Sequence, residues 1–336
     1  MTGSAIPAQT AAEVTRRLRD LAERLTATDG EVQRAMAGSV TVFLDRIAAR
    51  GSQAALEGII ALPFLVHGAE TGNPDPGTPA AMAHVLWWVS ARYLDDLSDA
   101  ADLPPAAEAN RGILAAIAVG CHLAAEVLDE ACPDAPEQAL RLRQELSRCW
   151  QNGIDGQLVD LIADPVSTTR DEVLAGYRGK TGAPYGMSAA MGAVLAGCDP
   201  ARVTAWREFG ERFGVLRQII NDQRDLASGR HEDLRNGTAT YLIVQYLSSL
   251  TGEQYDTALK HLAMSADSAE ARTQLAARLT APENLREYAG SLAPLITGLH
   301  ADIDALADKH EFAAGLHDLV DETSGMFPEF LLGTIR

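Results

Sequence analysis

Three aspartates, Asp95, Asp96 and Asp99, follow an apolar run in the first third of the 336-residue sequence. On a helix, Asp95 and Asp99 are four residues apart and share a face, while Asp96 and Asp99 lie on its neighbouring edge. Like charges placed in this way repel one another, whereas a bound divalent cation would use their carboxylate oxygens as ligands. The spacing therefore predicts a metal site at the end of this helix.

A second oxygen-rich set, Asn221, Asp222 and Asp225, follows another apolar run much later in the chain. Asn221 and Asp225 are again four residues apart, so this set also presents its oxygens on one side of a helix. Proteins bind Mg²⁺ with a few carboxylates together with substrate phosphates. Two facing helices that end in these sets would hold Mg²⁺ around a diphosphate, and the six residues are the predicted metal ligands.

The segments that carry these residues have a helical composition, because Ala and Leu are abundant while β-branched and aromatic residues are sparse. Breaks rich in proline and glycine separate segments that are longer than the mean globular helix of about 11–12 residues. Such lengths favour an all-α helical bundle around a deep central cavity. No flexible linker is visible, so we predict a single domain over residues 1–336. The long segments are residues 80–100, 106–131, 135–163, 170–197 and 201–228.

The composition excludes several classes of partner. A net charge of −18 and a pI near 4.8 would repel a nucleic-acid backbone and an anionic membrane surface. The four cysteines form no C-x-x-C pair, which argues against zinc-ribbon and redox motifs. No apolar signal region follows the N-terminal arginines, and the apolar stretch at residues 113–125 is shorter than a membrane span of about 20 residues. We expect a cytoplasmic protein without stable membrane insertion.

Five elements occur in a fixed order. The two aspartate sets match D-D-x-x-D motifs, with Asn221 in place of the leading Asp of the second. A G-Q-x-x-D element (residues 156–160) and a K-T-G-A element (residues 180–183) lie between them. Residues 232–240 approximate a K-D-x-x-x-G-K-x-T segment. With these elements, the sequence resembles the all-trans polyprenyl diphosphate synthases, in the class of metal-dependent isoprenoid synthases that also contains class I terpene cyclases.

The resemblance implies an isoprenoid-synthase-like fold, a homodimer, an allylic prenyl diphosphate as substrate and three Mg²⁺ ions as cofactor. It implies catalytic roles for Lys180, Gln157 and Thr181, and diphosphate binding by Arg111, Lys180 and Arg224. Lys180 would donate to the diphosphate as charge develops on the leaving oxygen. Gln157 would support either the carbocation or the metal shell.

The sequence departs from the family at the second diphosphate site, where chain-elongating members bind isopentenyl diphosphate. The family's Gly-Lys-Arg-x-Arg-Pro segment has its best counterpart in residues 58–63, which contain no cation, and its Arg-Arg-Gly element reads Asn110-Arg111-Gly112. Each charge-assisted phosphate contact contributes about 1.5–3 kcal/mol, so the loss of three or four would weaken binding by many orders of magnitude. We therefore expect inefficient chain elongation.

Ionisation of the allylic diphosphate does not need this second site, so several fates remain for the carbocation. The first hypothesis is a terpene-synthase-like enzyme that cyclises the cation or quenches it with water and releases diphosphate. The alternatives are a prenyltransferase with an aromatic or indolic acceptor and, after it, a chain-elongating synthase. Asp225 and Gly229 stand where most terpene cyclases have Ser and Glu, which keeps transfer as an alternative. A non-catalytic partner subunit is a further alternative, but such subunits typically lose the aspartate motifs.

The residues before Asp95 predict the accepted chain length. Ser90 and Ala91, one turn before it, are small and leave the upper cavity open, whereas Trp87 and Trp88 lie about one turn lower. One helical turn advances about 5.4 Å, which is comparable to one extended isoprene unit. A tryptophan floor at this depth favours C15 or C20 substrates. The alternative is that both tryptophans are ordinary core residues.

Overall fold

The computed structural model describes residues 8–49, 53–98 and 104–327. It is 85% helical, and the described residues contain no strand, which confirms the all-α prediction. The α-helices are α1 (Ala8–Thr26), α2 (Glu31–Ala49), α3 (Gln53–Thr71), α4 (Thr78–Ser98), α5 (Ala106–Ile117), α6 (Ala124–Ala131), α7 (Pro136–Ile162), α8 (Arg170–Tyr177), α9 (Ala183–Leu195), α10 (Pro200–Ser228), α11 (Glu232–Asn236), α12 (Tyr241–Ser249), α13 (Gly252–Met264), α14 (Ala269–Leu279), α15 (Pro282–Leu306) and α16 (His310–Ser324).

Within the described residues, the five long segments predicted from the sequence are helical except for one or two residues at some of their ends. Two of them contain a π-helical segment that joins neighbouring α-helices: Ala118–Leu123 joins α5 to α6, and Arg178–Gly182 joins α8 to α9. A π-helical segment widens the helix locally and is frequent at functional sites. The second of these segments contains Lys180 and Thr181.

Helix α8 begins with a capping box that defines where this π-containing helix starts. The Thr169 hydroxyl accepts a hydrogen bond from the backbone N–H of Glu172, and the Glu172 carboxylate accepts one from the backbone N–H of Thr169 at 2.8 Å. These hydrogen bonds satisfy two donors at the helix start. The hydrogen bonds that the Glu172 carboxylate accepts from the backbone N–H and the hydroxyl of Thr169 hold its pKa below the usual value.

The chain forms two compact units, each built from separate segments. The first unit comprises residues 1–148, 184–210 and 305–316. Ile60 and Phe64 of α3 and Val85 of α4 are fully buried in its core. A buried ion pair lies in the same unit, where Arg207 donates to both carboxylate oxygens of Glu145 at 2.7 and 2.8 Å. In a bidentate pair of this kind, each buried charge is compensated by the other, which offsets the cost of removing both charges from water.

The second unit comprises residues 149–183, 211–304 and 317–336. Its core includes Phe213, Leu216 and Ile219 of α10, and Tyr288 of α15. Phe213, Leu216 and Ile219 recur at three-residue intervals on α10, so one apolar side of this helix is buried. The assignment of one domain with a deep central cavity remains a prediction.

One helical run in the first unit, Ala106–Ala131, is long and apolar enough to cross a membrane by length and composition alone. This differs from the expectation that every apolar stretch is too short, because polar residues on either side of 113–125 do not interrupt the helix. The core helix of a soluble protein passes the same test, and 44% of the most apolar part of this run is buried within the protein.

Candidate active site

A lysine lies beside several carboxylates in the second unit. Lys180 Nζ is 2.7 Å from Asp160 Oδ2, and the two side chains are only 21% and 19% exposed. Asp160 comes from α7 and Asp222 from α10, and the charges of both Asp160 and Lys180 act on Asp222. Three parts of the chain that are distant in sequence therefore form one charged cluster.

Glycines allow these helices to approach closely. A Cβ atom on Gly156 of α7 would lie 2.2 Å from the backbone nitrogen of Lys180. A Cβ atom on Gly214 of α10 would lie 2.5 Å from the Thr181 carbonyl oxygen. Backbone thus packs directly on backbone on both sides of the π-helical segment. This packing brings Asp160 of α7 and Asp222 of α10 to the same lysine.

We predict that Gly156→Ala destabilises the protein. The added methyl group would clash with backbone atoms, which cannot move aside by a change of rotamer as a side chain can. The free energy of unfolding should therefore fall by about 1–3 kcal/mol. Gly290 is the matched control, because it lies within α15 and a Cβ atom there meets nothing within 4 Å. Gly290→Ala should be neutral or slightly stabilising. Equal urea midpoints for the two variants would contradict the close approach.

Asp222 is buried and accepts two side-chain hydrogen bonds. The Tyr177 hydroxyl donates a hydrogen bond to Asp222 Oδ2, and the side-chain amide of Gln218 donates one to Asp222 Oδ1 at 2.9 Å. The Tyr177 hydroxyl in turn accepts from the backbone N–H of Tyr241 at 2.9 Å. Burial raises the pKa of Asp222 to about 7, although the hydrogen bonds from Tyr177 and Gln218 oppose this shift. The carboxylate is therefore held in a defined orientation at an electrostatic cost.

Asp225 lies one turn further along α10, beside Asp233 of α11. Asp225 Oδ2 accepts from the backbone N–H of Asp233 at 3.2 Å. Burial, followed by the charges of Asp222, Asp225 and Asp160, raises the pKa of Asp233 well above its usual range. The raised pKa values of Asp222 and Asp233 mean that these two carboxyls stabilise the folded state more at low pH than at high pH. For Asp222, this contribution is lost as the pH rises from about 4 through about 7.

The donor set suits a hard divalent cation. Asp225 Oδ1 is buried and has no hydrogen-bond donor among the described residues, so this oxygen can still accept a cation. Within the described ranges, no three carboxylate, imidazole or thiol groups form a complete metal cage. A Mg²⁺ ion commonly retains waters and takes further oxygens from substrate phosphates, so it does not require a cage made of protein groups alone. Asp222 and Asp225 thus fit partial coordination.

Two residues of the first aspartate set, Asp95 and Asp96, lie near the end of α4 in the first unit. Asp95 is half-buried, and Asp96 is exposed. Asp96 accepts from Arg92 Nε at 2.8 Å and lies 3.7 Å from Arg46. Asp99 lies outside the described residues. The role of these three residues as metal ligands stays a prediction.

The other predicted polar residues differ in burial. Thr181 is buried and donates to Gln218 Oε1, and Gln157 of α7 is half-buried. Asn221 and Arg224 are exposed on α10, and Arg111 is exposed on α5. Through Gln218, Thr181 belongs to the hydrogen-bonded group around Asp222. The functional roles of all five residues stay predictions.

Trp88 is held by its neighbours in the first unit. Its Nε1 donates to His84 Nε2 at 2.9 Å, so His84 carries its proton on Nδ1 and donates to the Ile59 carbonyl at 2.8 Å. Burial lowers the pKa of His84 to about 3, which keeps the ring neutral. Trp87 is only 4% exposed. The indole of Trp88 is half-buried and has a fixed orientation.

The two small residues near these tryptophans, Ser90 and Ala91, differ in burial. Ser90 is fully buried and donates its hydroxyl to the Ala116 carbonyl at 2.7 Å, which directs it towards α5. Ala91 is half-buried. Whether Ser90, Ala91, Trp87 and Trp88 line the substrate cavity remains a prediction.

The counterpart of the family's cationic segment lies within α3. Ile60 and Leu62 are buried there, at 0% and 1% exposure, and Ile59 contributes the carbonyl that binds His84. An apolar helix side of this kind has no group that could neutralise a second diphosphate. In the segment that lacks the family's cations, Ile60 and Leu62 are therefore packed as ordinary core residues.

Several residues in the acidic cluster were not among the predicted site residues. Asp160 ends the G-Q-x-x-D element and Asp233 belongs to the last element, so the motifs contained a signal for both. Tyr177 and Gln218 lie outside every motif. Their contacts with Asp222 depend on how α8 and α10 pack, and no sequence pattern indicated them.

A family model for the polyprenyl synthetases matches residues 80–279, which is more than half of the chain. A short chain isoprenyl diphosphate synthase from Methanocaldococcus jannaschii is 31% identical over 112 residues, covering 31% of this chain and 34% of that protein. A geranylgeranyl diphosphate synthase from Methanosarcina mazei is 27% identical over 180 residues, covering 49% and 55%. The chain thus aligns with about a third to a half of these relatives.

Solved structures resemble the whole fold. A polyprenyl synthetase from Streptomyces coelicolor A3(2) has a TM-score of 0.74 at 23% identity and covers 93% of this chain and 99% of its own. A geranylgeranyl pyrophosphate synthase from Corynebacterium glutamicum, complexed with isoprenyl diphosphate and magnesium, has a TM-score of 0.77 at 19% identity and covers 94% and 98%. At these identities, the likeness establishes the fold alone.

Proposed function

Because this chain belongs to the polyprenyl synthetase family, we propose that it ionises an allylic prenyl diphosphate with the help of Mg²⁺. The observation that supports this proposal most directly is the acidic cluster around Asp222 and Asp225. It contains a buried carboxylate oxygen without a hydrogen-bond donor, and a lysine lies beside Asp160 in the same cluster. Negative ligands for a cation and a positive donor for a phosphate are the two requirements of such a reaction.

In this proposal, Asp222 and Asp225, with Asn221 at the same helix end, supply metal ligands, and Asp95, Asp96 and Asp99 supply the others. When bound, the Mg²⁺ ions, which we take to be three, would neutralise charge that develops on the leaving diphosphate. Lys180 would exchange its contact with Asp160 for one with the diphosphate. Tyr177 and Gln218 would keep Asp222 oriented throughout.

Two fates of the prenyl cation are supported by different observations. Family membership and relatives named as isoprenyl and geranylgeranyl diphosphate synthases favour transfer to isopentenyl diphosphate, which is chain elongation. The apolar side of α3 favours a reaction without a second diphosphate: cyclisation, quenching by water, or transfer to an aromatic or indolic acceptor. The chain has both aspartate motifs, which argues against a non-catalytic subunit whichever fate the prenyl cation has.

The deciding experiment incubates the protein and Mg²⁺ with C10, C15, C20 and C25 all-trans diphosphates, with and without isopentenyl diphosphate. We expect diphosphate release from C15 or C20 substrates without isopentenyl diphosphate, and little elongation at micromolar concentrations of it. Elongation that saturates in the low micromolar range would assign the chain to the reaction in its relatives' names. No diphosphate release under any condition would refute the proposed function.

We propose that Trp88, more than the buried Trp87, limits the substrate length. Its indole is half-buried and held by His84, so it can form a rigid end to an apolar cavity. Trp88→Ala should extend the preferred substrate by about one isoprene unit, which is about one helical turn. Trp88→Phe keeps most of the bulk and should preserve the preference. An unchanged ranking of C10 to C25 substrates in Trp88→Ala would rule out this role.

We also propose that the protein is a homodimer. Leu114 and Ile117 of α5 are 68% and 49% exposed, and they lie three residues apart on one side of the helix, where they form an exposed apolar surface. A second copy that covers this surface would remove it from water. Light scattering should give twice the mass of the 35.8 kDa chain, and the mass should halve in Leu114→Glu if α5 forms the interface.

A further inference from the structure

Two histidines of the second unit face each other. His300 lies on α15 and His317 lies on α16, and their Nδ1 atoms are 2.7 Å apart. The ring planes differ by only 18°, and the ring centroids are 5.0 Å apart. Because the Nδ1 atoms are much closer than the centroids, the two imidazoles meet edge to edge with these nitrogens pointing at one another.

Each imidazole has a carboxylate at its other nitrogen. His317 Nε2 donates to Asp304 Oδ1 at 3.1 Å, and His300 Nε2 lies 3.2 Å from Asp321 Oδ1. Both helices have the same H-x-x-x-D spacing, and each histidine faces the aspartate of the other helix. We call these four residues the His–Asp cluster.

The carboxylates fix the tautomers of the two rings. An ionised carboxylate only accepts hydrogen bonds, so Nε2 of each ring carries a proton and a neutral ring has its lone pair on Nδ1. Two lone pairs that face each other at 2.7 Å repel, so either a shared proton or a metal ion must lie between them. Histidines that bind a metal typically donate their other N–H to a carboxylate. The His–Asp cluster has this arrangement at both rings.

The helices hold the cluster at the surface of the protein. Leu299, Ile303 and Val320, which each precede a member of the cluster, are 0% exposed. The two imidazoles are 29% and 30% exposed, and the two carboxylates are 67% and 74% exposed. An ion can therefore reach the facing nitrogens from solvent while both helices stay anchored in the core.

We propose that His300 and His317 bind one divalent transition-metal ion between their Nδ1 atoms, and that this ion joins α15 to α16. Imidazole nitrogens suit Zn²⁺, Ni²⁺ and Cu²⁺, whereas Mg²⁺ prefers oxygen ligands. This site is therefore separate from the Mg²⁺ site of the proposed reaction and does not depend on it.

The geometry needs a small adjustment to admit the ion. Zn–N bonds of about 2.0–2.1 Å place two nitrogens of a tetrahedral site about 3.3–3.4 Å apart, so the half-exposed rings would separate by about 0.6–0.7 Å. Water would complete the coordination, because the described residues contain no set of three His, Cys, Asp or Glu side chains that could hold a metal. Asp304 and Asp321 would stay on the Nε2 atoms and orient the rings.

The test titrates the protein with Zn²⁺ by calorimetry at saturating Mg²⁺, which occupies the oxygen ligands of the candidate active site. The wild type should bind one Zn²⁺ per chain at the cluster. His300→Gln and His317→Gln should each weaken this binding by about 100-fold or more, because they remove a ligand, and Asp304→Asn should weaken it by about 10-fold, because it removes an outer carboxylate. Zn²⁺ should also raise the thermal midpoint of the wild type, but not that of His317→Gln.

His122→Gln is the matched control, because it removes an exposed imidazole that lies 3.3 Å from the Glu126 carboxylate. It should leave the Zn²⁺ affinity and the thermal midpoint unchanged. Asp304→Asn keeps both imidazoles and tests the site if a histidine variant fails to fold. A wild type that binds no Zn²⁺, or equal binding by the wild type, His300→Gln and His317→Gln, would overturn the proposal.

Discussion

Asp225→Asn is expected to reduce Mg²⁺-dependent diphosphate release by about 100-fold or more while making the folded protein slightly more stable. The amide can still accept the hydrogen bond from the Asp233 backbone N–H, so the local structure should persist. It lacks the charge that would hold a divalent cation, and such an ion contributes several kcal/mol of charge stabilisation. Removal of one carboxylate from a mutually repelling cluster should raise the free energy of unfolding by about 1 kcal/mol.

The combination of lower activity and higher stability is the informative result. Asp256→Asn is the matched control, because Asp256 is an exposed carboxylate on α13. It should change neither turnover nor the urea midpoint. Wild-type turnover of Asp225→Asn at saturating Mg²⁺ would show that this carboxylate is not a ligand. A large loss of stability would instead make Asp225 a structural residue.

Lys180→Gln is expected to lower kcat by about 100–1,000-fold, with a smaller change in KM. A preorganised donor aimed at a leaving group acts mainly in the transition state, and the loss of one such donor costs this much in other sites. The variant also leaves Asp160 without its 2.7 Å partner. Both side chains are mostly buried, so the free energy of unfolding should fall by about 1–2 kcal/mol.

A second substitution separates these two effects. Asp160→Asn in the Lys180→Gln background removes the unpaired carboxylate, so it should recover most of the lost stability but none of the lost activity. Lys180→Arg keeps the charge and should retain more turnover than Lys180→Gln. Recovery of turnover in the double variant would mean that Lys180 acts only by neutralising Asp160.

The sequence alone determined the helical character of this protein and the approximate positions of the helices between residues 80 and 228. The prediction of residues 201–228, for example, agrees with α10 at Pro200–Ser228. Composition and proline placement are local properties, and a helix is stabilised by hydrogen bonds within the same segment, so local information was sufficient. The same locality explains why the three-residue spacing of Asp222 and Asp225 makes them neighbours on α10.

The motifs also located the chemistry in part. Lys180 was a candidate because it belongs to the K-T-G-A element. In the structure it contacts Asp160, which ends the G-Q-x-x-D element, so two motifs that are separate in the sequence meet at this lysine. The π-helical form of Arg178–Gly182 was not predicted, because no composition rule distinguishes such a segment from an ordinary helix. The membrane-length helical run was not predicted either, because the apolar stretch at residues 113–125 is by itself shorter than a membrane span.

Only the tertiary structure decided which groups surround the two buried aspartates of α10. The backbone contact of Gly156 with Lys180 sets the distance between α7 and the π-helical segment, and it depends on residues 24 positions apart. Tyr177 reaches Asp222 across 45 positions. Burial then removes water from these carboxylates, which raises the pKa of Asp222 and leaves one oxygen of Asp225 without a donor. Solvation and contact order are properties of the packed chain, and no local pattern encodes them.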